Sequence, residues 1–545
     1  MNLVSYGKAN VILHENPKKT YFKVMYKKHT NFGMQKFRID FDGQRNLNYA
    51  SESHYSFRIP RYGDLFHDTY IAVSLPNIWS SIVGNRSYNF QWVKNLGAAM
   101  IQNISINAGA AVLANYSGEY LHCMMQRDQN TAKKDLWNRM TGNIDELNHP
   151  AKHMKSRLHN SDYINNYVHG VNDAETLNHN VIDYYPHATE VNSIPSIRGR
   201  KLYIPVGAWF CDDCKYSIPL VSLQNQELSI EVTFRPVYEL YTILNEQGER
   251  IAPDLNEPTD QILNFLNSPT LTTVEDGQVT TSTIANVNTW NSDVHLISTY
   301  IFLDENERDF FALHDQDFIY KTTYEHKYPN MVGNNTVDVK TNNLVSDFMW
   351  RFRRNDVRKR NEWFNYTNHP YLDQLPYEVH VSNNAAINGV SALRIYLPEY
   401  NEGEHEKQIM KNAALLMDGY FREEIFDSGI YQYIEKYNRT NGGGENGIYH
   451  YNFCLDSSKG NKQPSGAMNM NKYTKISFQF LTHLPNVASD SSNFVDVLCN
   501  EDGDIIATRK NNADLYEYNY DLTIFEERYN VIHVASGNVN LRYAR

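Results

Sequence analysis

Hydrophobic and polar positions alternate over much of the first 120 residues, a pattern that predicts short β-strands. Residues 37–41 alternate and stop at Asp42-Gly43, a turn signal. Two further runs of β-forming residues, at 70–75 and 100–106, also stop at residues that favour turns. Short strands separated by turns at this spacing are typical of a β-sandwich rather than a parallel sheet.

The hydrophobic period becomes helical after Gly118. Apolar side chains recur at helical offsets from Tyr120 to Met125, so the sequence predicts a single helix over residues 118–137. The residues that follow, 141–200, are polar, rich in Asn and His, and show no sustained period. We therefore predict a long insertion between strands here, exposed at one end of the sandwich.

Strand character returns at residue 201 and predicts the rest of a first sandwich. The predicted strands are residues 201–206, 220–223 and 228–234, and the last of them alternates cleanly and would close this sandwich. Residues 244–292 are rich in Asn, Thr, Asp, Glu and Pro, and we place the connection between two domains there. A second β-rich region is predicted to contain strands at residues 296–303, 346–352, 392–397, 476–480 and 530–537. Within it, the spacing over residues 406–435 is helical, which predicts another insertion.

Length and composition support two domains and large contact surfaces. A chain of 545 residues is too long for one hydrophobic core. Its 39 Tyr, 24 Phe and 7 Trp favour strands and protein interfaces. The formal charge of -12 argues against a protein that wraps nucleic acid. The densest basic segment, residues 351–360, is interpreted as a solvated loop or strand end, or else as inward-facing charge if the chain lines a shell around DNA.

Candidate chemistry along the chain is sparse. Cys211 and Cys214 form a Cys-x-x-Cys pair, but there is no second pair for a structural zinc site and no βαβ context for a redox site. Six histidines, His149, His153, His159, His169, His179 and His187, have irregular spacings that favour a solvated loop over a metal site. The glycine-rich residues 442–447 lack the Lys-Ser/Thr of a phosphate-binding loop and predict a flexible surface loop. We therefore expect no catalytic residue, no metal and no cofactor.

The cysteine count and the hydropathy pattern indicate a reducing compartment. Five cysteines do not make a disulfide framework, and neither a signal peptide nor a membrane-spanning segment is visible. The chain is therefore expected to be cytosolic, and to be made and assembled in that compartment.

Five segments resemble the major capsid proteins of nucleocytoplasmic large DNA viruses, and they follow that family's order. The first holds Tyr21-Phe22-Lys23-Val24 and His29-Thr30-Asn31-Phe32. The second holds Tyr203-Ile204-Pro205, Trp209-Phe210-Cys211 and Ile218-Pro219-Leu220-Val221-Ser222-Leu223-Gln224. The third is Tyr300-Ile301-Phe302-Leu303-Asp304-Glu305-Asn306-Glu307-Arg308, followed by Phe311-Ala312. The fourth joins Phe453-Cys454-Leu455 to Gln463-Pro464-Ser465-Gly466, and the fifth is Tyr529-Asn530-Val531-Ile532-His533-Val534 with Ser536-Gly537.

The resemblance implies an all-β chain of two tandem eight-stranded jelly rolls with long loop or helical insertions. The expected division is an N-terminal arm at residues 1–32, a first jelly roll at 33–243 with an insertion at about 122–200, a linker at 244–292, and a second jelly roll at 293–545 with an insertion at about 400–447. The implied function is structural rather than enzymatic. Three chains would form a pseudo-hexagonal capsomer of an icosahedral virion. Implied partners are neighbouring capsomers, minor capsid proteins and the inner membrane-associated layer, with no sequence-specific binding of nucleic acid.

Several alternatives stay open at this point. A minor capsid or scaffolding protein of the same family, or a carbohydrate-binding jelly-roll protein, would share the fold. The basic and aromatic residues 21–32 are either an arm that contacts neighbours or inner-shell proteins, or an ordinary first strand with solvated lysines. Gln463-Pro464-Ser465-Gly466 is interpreted as a shaped turn without chemistry, with Asn469 bonding the backbone.

Overall fold

The structure is a computed structural model of the chain. It describes residues 11–543 apart from the longer stretches 151–194, 369–379, 382–390, 397–407, 459–462, 486–493, 500–504 and 511–517, and the short gaps 13, 25, 42, 44–45, 81, 84–86, 245–249, 269, 276–277, 284–286 and 288.

The first half of the chain forms a sandwich of two antiparallel sheets. Its eight principal strands are β1 (Phe32–Asp40), β2 (Ser53–Arg58), β3 (Leu65–Ser74), β4 (Ile101–Ala108), β5 (Ala111–Tyr116), β6 (Lys201–Pro205), β7 (Leu228–Phe234) and β8 (His295–Leu303). One sheet has the order β1-β8-β3-β6, with the two-residue strand Ile218–Pro219 also paired to β3, and the other has the order β2-β7-β4-β5.

The second half repeats this arrangement. Its strands are β9 (Gln316–Met331), β10 (Asn334–Asp338), β11 (Leu344–Arg354), β12 (Met410–Met417), β13 (Tyr420–Asp427), β14 (Ile448–Asn452), β15 (Ile476–Thr482) and β16 (Tyr520–Ala535). The sheets have the orders β9-β16-β11-β14 and β10-β15-β12-β13. Adding eight to each strand number of the first sandwich gives the strand orders of the second, so the two halves have the same topology. Each half is a jelly roll, and the predicted all-β double jelly roll is confirmed.

Shorter elements decorate the two sandwiches. The additional strands are Ile82–Val83, Ser87–Tyr88, Gln91–Trp92, Tyr241–Leu244, Arg250–Ile251, Thr270–Glu275, Gln278–Thr283, His380–Val381, Ser391–Tyr396, Met468–Asn469, Phe494–Cys499, Ile505–Lys510 and Asn538–Leu541. The helices are α1 (Leu96–Met100), α2 (Gly118–Asp128), α3 (Thr131–Thr141), α4 (Asp145–Asn148), α5 (Trp209–Asp212), α6 (Ile262–Leu266), α7 (Glu305–Leu313) and α8 (Glu435–Arg439), and a π-helical turn, Ile430–Ile434, precedes α8.

The boundary expected between the two jelly rolls is wrong. Residues 296–303 were predicted to open the second sandwich, but β8 pairs with β1 and β3 of the first. Leu296 lies between Ile39 and Ile71 in that sheet. Sequence pattern identifies a strand without identifying its partners, so the first sheet is complete only at Leu303, and α7 separates the halves.

Three predicted elements differ in the structure. The single helix predicted over 118–137 is two helices, α2 and α3. Asn130 between them has an extended backbone, and its side chain caps α3 by accepting a hydrogen bond from the Lys133 amide at 3.0 Å. Residues 220–223, predicted as a strand, contain the 3-10 turn Leu220–Ser222. The helical insertion expected around 406–435 and 400–447 contains β12 and β13, whose pairing is broken by bulges that disrupt the period of two.

Alternation along the strands explains why these sheets pack. In β7, the even-numbered Leu228 to Phe234 are buried in the first core while the residues between them are more exposed. In β11, Phe348, Trp350 and Phe352 lie in the second core, whereas Met349 belongs to the first core. One sheet of the second sandwich is therefore covered on both faces, and the first sandwich supplies the cover on its outer face.

The long connections leave the sandwiches at one end. β3 ends at Ser74, opposite Lys201 where β6 begins, and β7 ends at Phe234, opposite Ile101 where β4 begins. In the second half, β11 ends at Arg354, opposite the first residue of β16. The strand ends that precede the long connections, at residues 74, 116 and 234 in the first half and at 354, 427 and 482 in the second, thus lie at that end. β1 begins and α7 follows β8 at the opposite end.

Candidate assembly interface

The two jelly rolls meet where α2 lies against the outer face of the β9-β16-β11-β14 sheet. Ser117 starts this helix, since its side chain accepts a hydrogen bond from the Tyr120 amide at 3.2 Å. The edge strand β5 that precedes α2 is covered as well. The Tyr320 hydroxyl of β9 donates to the Leu113 carbonyl at 2.7 Å, and the Ser117 amide donates to Glu325 at 2.9 Å.

Arg127, near the end of α2, lies at the centre of a buried ion cluster that joins the halves. Its guanidinium contacts Asp128 at 2.6 Å, Asp347 at 3.0 Å and Glu527 at 2.9 Å. Lys321 contacts the latter two carboxylates, each at 3.1 Å. Arg127, Asp347 and Glu527 have no exposed side-chain surface. Removing one partner from such a cluster costs roughly 3–5 kcal/mol, because the remaining charge stays buried without compensation.

The charges of this cluster hold each other ionised. Burial alone would raise the pKa of Asp347, but Lys321 and Arg127 outweigh it and place that pKa well below its ordinary range. Burial would lower the pKa of Lys321, and the Asp347 and Glu527 carboxylates instead raise it. His450, 3.4 Å from Asp347, has a pKa that burial lowers, so the ring is neutral at neutral pH.

A second buried group joins Glu119 of α2 to β11. Arg351 donates to Glu119 at 2.7 Å, Arg353 does so at 3.3 Å, and the Tyr366 hydroxyl donates at 3.1 Å. Although burial opposes ionisation, the Arg351 and Arg353 charges lower the pKa of Glu119 to about 2. Burial and the Arg351 charge lower the pKa of Arg353 to about 10.

The basic segment 351–360 is therefore neither a solvated strand end nor a surface for DNA over most of its length. Arg351, Arg354 and Arg360 are each at most 2% exposed. Arg354 and Arg360 both pair with Asp356, at 2.7 and 2.9 Å. The sequence shows the cations but not the acids that lie opposite them after folding, and this is why the interpretation failed.

The glycine-rich residues 442–447 do not form a free surface loop either. The Gly442 amide donates to the Arg127 carbonyl at 2.8 Å, and the Gly444 amide donates to the Gln126 carbonyl at 3.0 Å. These two bonds satisfy carbonyls at the end of α2. A Cβ at Gly442 would lie 2.3 Å from the Arg127 oxygen, so the close approach requires glycine there.

The second jelly roll has a counterpart of the covered edge, and it is exposed. β13 corresponds to β5 in the sheet order, and the helical turns at 430–439 follow it as α2 follows β5. Among the described residues, β13 pairs with β12 alone and no other strand or helix covers its outer edge. Large apolar side chains on it and on the helical turns are exposed: Tyr420 81%, Phe421 52%, Ile425 52%, Phe426 37%, Tyr433 58%, Ile434 49% and Tyr437 89%.

The first jelly roll exposes the complementary surface. The outer face of β1-β8-β3-β6 corresponds to the face that α2 covers in the second half. Phe32 and Met34 on β1 are 54% and 48% exposed, and Tyr203 on β6 is 39% exposed. In the described part of the chain, the β5 edge is thus joined to a face internally, while the equivalent β13 edge and the equivalent face of the first sandwich stay exposed.

Known proteins with related sequences decide the family. The family described as "Major capsid protein N-terminus" matches residues 20–304, just over half of the chain, and the match ends where β8 ends. The chain belongs to this major capsid protein family.

Individual relatives agree with this assignment. Probable capsid protein 4 of Acanthamoeba polyphaga mimivirus is 26% identical over 259 residues, which cover 47% of this chain and only 41% of that relative's length. The major capsid protein of Paramecium bursaria Chlorella virus 1 is 21% identical over 99% of this chain and 98% of its own. A chain of the PBCV-1 virus capsid superposes with a TM-score of 0.60 at 16% identity, over 96% of this chain and 100% of that one. The resemblance to capsid proteins of large DNA viruses is confirmed.

The Cys-x-x-Cys pair singled out in the sequence lies in α5 and in the 3-10 turn Cys214–Tyr216 that follows it. Cys214 is exposed, and its sulfur lies 3.5 Å from the His67 ring, while Cys211 is partly buried with a pKa that burial raises to about 12. Within the described ranges, no three His, Cys, Asp or Glu side chains are placed to hold a metal. No helix in that part of the chain is long and apolar enough to cross a membrane. Five of the six insertion histidines, all but His149, lie outside the described residues.

The Gln463-Pro464-Ser465-Gly466 motif forms the expected bend. The Ser465 hydroxyl accepts from the Asp456 amide at 3.0 Å and donates to the Asp456 carbonyl at 2.9 Å, and Gly466 has a φ of 136°. The Asn469 side chain accepts from the Asn471 amide at 3.1 Å, so its predicted backbone bond is confirmed. The motif leads into Met468–Asn469, a short strand that pairs with β11.

Proposed function

We propose that this chain is a major capsid protein that associates into homotrimers, and that these trimers are the pseudo-hexagonal capsomers of the icosahedral shell of a large double-stranded DNA virus. The observation that carries the proposal is that the contact between the two jelly rolls of one chain joins two different surfaces. The first jelly roll offers an edge and the second offers a face, so the contact is heterologous. A heterologous contact leaves both complementary surfaces free for further copies.

The free edge is β13 with the helical turns at 430–439, and the free face is the outer side of β1-β8-β3-β6. In a trimer, the free edge of each chain would cover the free face of the next, as β5 and α2 cover the second jelly roll within a chain. Three chains supply six sandwiches, which is the number that a ring with hexagonal outline needs. A ring of this kind also protects the edge strand β13 from open-ended pairing.

The exposed apolar side chains of the free edge support a stable contact. Fully burying one large apolar side chain contributes about 1.5–3 kcal/mol. Seven large apolar side chains are exposed on β13 and on the helical turns at 430–439, so an association that covers this edge would bury them.

The native mass of the purified protein tests this proposal. We expect three times the chain mass of 63.3 kDa, with hexagonal outlines in negative stain. The double variant Phe421→Asp/Tyr437→Asp places charges on the free edge and should yield monomers with unchanged circular dichroism. The matched control Leu136→Asp/Leu255→Asp changes side chains that are 55% and 39% exposed elsewhere, and it should stay trimeric. A monomeric wild-type chain would overturn the proposal.

The same proposal extends to location and partners. The trimers would be virion components, assembled in the host cytoplasm, with neighbouring trimers, minor capsid proteins and the inner membrane-associated layer as partners. The names of the relatives, which are capsid proteins of viruses, support this extension. Copy number in purified virions separates a major from a minor capsid protein.

A further inference from the structure

The residues before β1 form a basic and aromatic segment, which we call the arm (residues 14–31). Tyr21, Phe22, Val24 and Tyr26 are 86%, 100%, 70% and 88% exposed. In the described part of the arm there is no strand. Between Glu15 and Asp40 the sequence contains Lys18, Lys19, Lys23, Lys27, Lys28, Lys36 and Arg38 and no acidic residue, although the whole chain carries a net charge of -12.

Helix α7 has the opposite character. None of its residues is buried, and Phe310 and Leu313 are 54% and 80% exposed. Acidic residues surround these apolar side chains. Those that are exposed on the helix and its flanks are Asp304, Glu305, Asp309 and Asp315.

The body of the protein holds α7 in place as a platform. Arg308 donates to Asp64 at 2.9 Å, and the Ser222 hydroxyl donates to the Phe311 carbonyl at 2.6 Å. The Phe310 ring stacks on His314 at 4.4 Å between centroids. A fixed, exposed helix with apolar and acidic side chains fits an extended partner with apolar and basic side chains.

The arm and α7 leave the molecule at the same end. Phe32 pairs with Leu303, and α7 begins two residues after Leu303, so the two segments start on adjacent strands about 5 Å apart. The eighteen residues of the arm would reach about 60 Å if fully extended, which is enough to contact a neighbouring copy. In the single chain, the arm leaves its own α7 uncovered.

We propose that the arm of one copy docks on α7 of a neighbouring copy, with the arm lysines against the α7 carboxylates and the arm aromatics against Phe310 and Leu313. This inference rests on the proposed self-association and names a contact that the trimer surfaces do not include. It gives the basic segment a protein partner rather than nucleic acid or lipid.

Crosslinking between two differently tagged chains tests the proposal. Both chains carry Cys214→Ser, which removes the thiol that is exposed among the four described cysteines. One chain carries Phe22→Cys and the other Leu313→Cys, and the co-expressed complex is treated with a short bismaleimide. We expect a covalent dimer that contains both tags, and samples with either cysteine alone give the background.

Charge reversal makes the test specific. Glu305→Lys/Asp309→Lys on the α7 chain should reduce the dimer yield at least tenfold, and Lys19→Glu/Lys23→Glu on the arm chain should restore it. Glu231→Lys, which reverses an exposed acid on β7, is the matched control and should leave the yield unchanged. The yield should also fall as salt rises, because exposed charges are screened beyond about 10 Å at 0.1 M ionic strength.

Two results would overturn the inference: a yield that ignores charge reversal, or crosslinks that form only within a chain carrying both cysteines. The native mass of the same samples separates this inference from the proposed function. Trimers without the crosslink defeat the arm contact alone, whereas the absence of trimers defeats the proposed function.

Discussion

Replacing Arg127 with methionine should destabilise the protein more than any exposed charge substitution. Arg127 is fully buried and contacts three carboxylates, those of Asp128, Asp347 and Glu527, at 3.0 Å or less. Arg127→Met keeps much of the side-chain volume and removes the charge, which leaves Lys321 as the cation in contact with Asp347 and Glu527. The expected loss is about 3–5 kcal/mol, the usual result of leaving a buried charge uncompensated.

The assay is equilibrium unfolding in urea, followed by tryptophan fluorescence and by circular dichroism. Arg139→Met is the matched control, since Arg139 lies on α3 and pairs with Asp135 at 3.0 Å with side chains 70% and 58% exposed. An exposed pair of this kind contributes about 0.3–0.5 kcal/mol. If the two variants lost similar stability, or if Arg127→Met lost less than about 1 kcal/mol, the cluster would not hold the jelly rolls together as we argue.

Three further predictions follow from the same junction. The pKa of Glu119 is about 2, and the pKa of Asp347 is also depressed in the folded protein. Both carboxylates therefore stabilise the fold above the ordinary carboxylate range, and this contribution is lost as pH falls toward 2. The melting temperature should drop steeply below about pH 4.5 and stay flat from pH 6 to 8. Gly442→Ala should lower the free energy of unfolding by about 1–3 kcal/mol, because its Cβ would lie 2.3 Å from the Arg127 oxygen. Gly443→Ala, whose Cβ would have nothing within 4 Å, should be neutral in the same urea titration. Equal effects would contradict the packing of this loop. Deletion of residues 151–194, with buried Leu147 and Asn148 retained, should leave the native mass trimeric. An insoluble or monomeric product would refute the expectation that trimer formation does not need this insertion.

The sequence predicted strands well wherever one face of a strand is buried. Residues 228–234 alternate and form β7 with those bounds, and residues 476–480 lie within β15. Prediction failed where pairing is irregular or local capping decides. The bulges of β12 interrupt the period of two, so its sequence pattern was taken for that of a helix. The cap at Asn130 divides one predicted helix into two. The partner of a strand such as β8 is a property of the sheet, and hydrophobic pattern does not contain it.

The candidate interface was largely hidden from sequence reasoning because its parts are far apart in the chain. Glu119 and Arg351 are separated by more than 200 residues, and so are Arg127 and Asp347, so neither partner identifies the other. One signal was available. A run of arginines interleaved with aromatic residues, as at 351–354, is unusual on a solvated surface, and such a run suits buried ion pairs that also contact rings.

The contrast between the internal junction and the free surfaces has a physical reason. Two surfaces of one chain meet at high effective concentration. Such a contact can therefore include buried charges, although each buried charge must be paired almost completely. Glu119, Arg127, Asp347 and Glu527 fit that case, since each lies in the interior and meets an opposite charge. A contact between chains must form from separate molecules, and apolar side chains such as Phe421 and Tyr437 associate without the geometric precision that buried ions require. In the proposed trimer, the same edge-to-face arrangement would use ions within a chain and aromatic rings between chains. Each double jelly roll would then set its internal angle before it meets its neighbours.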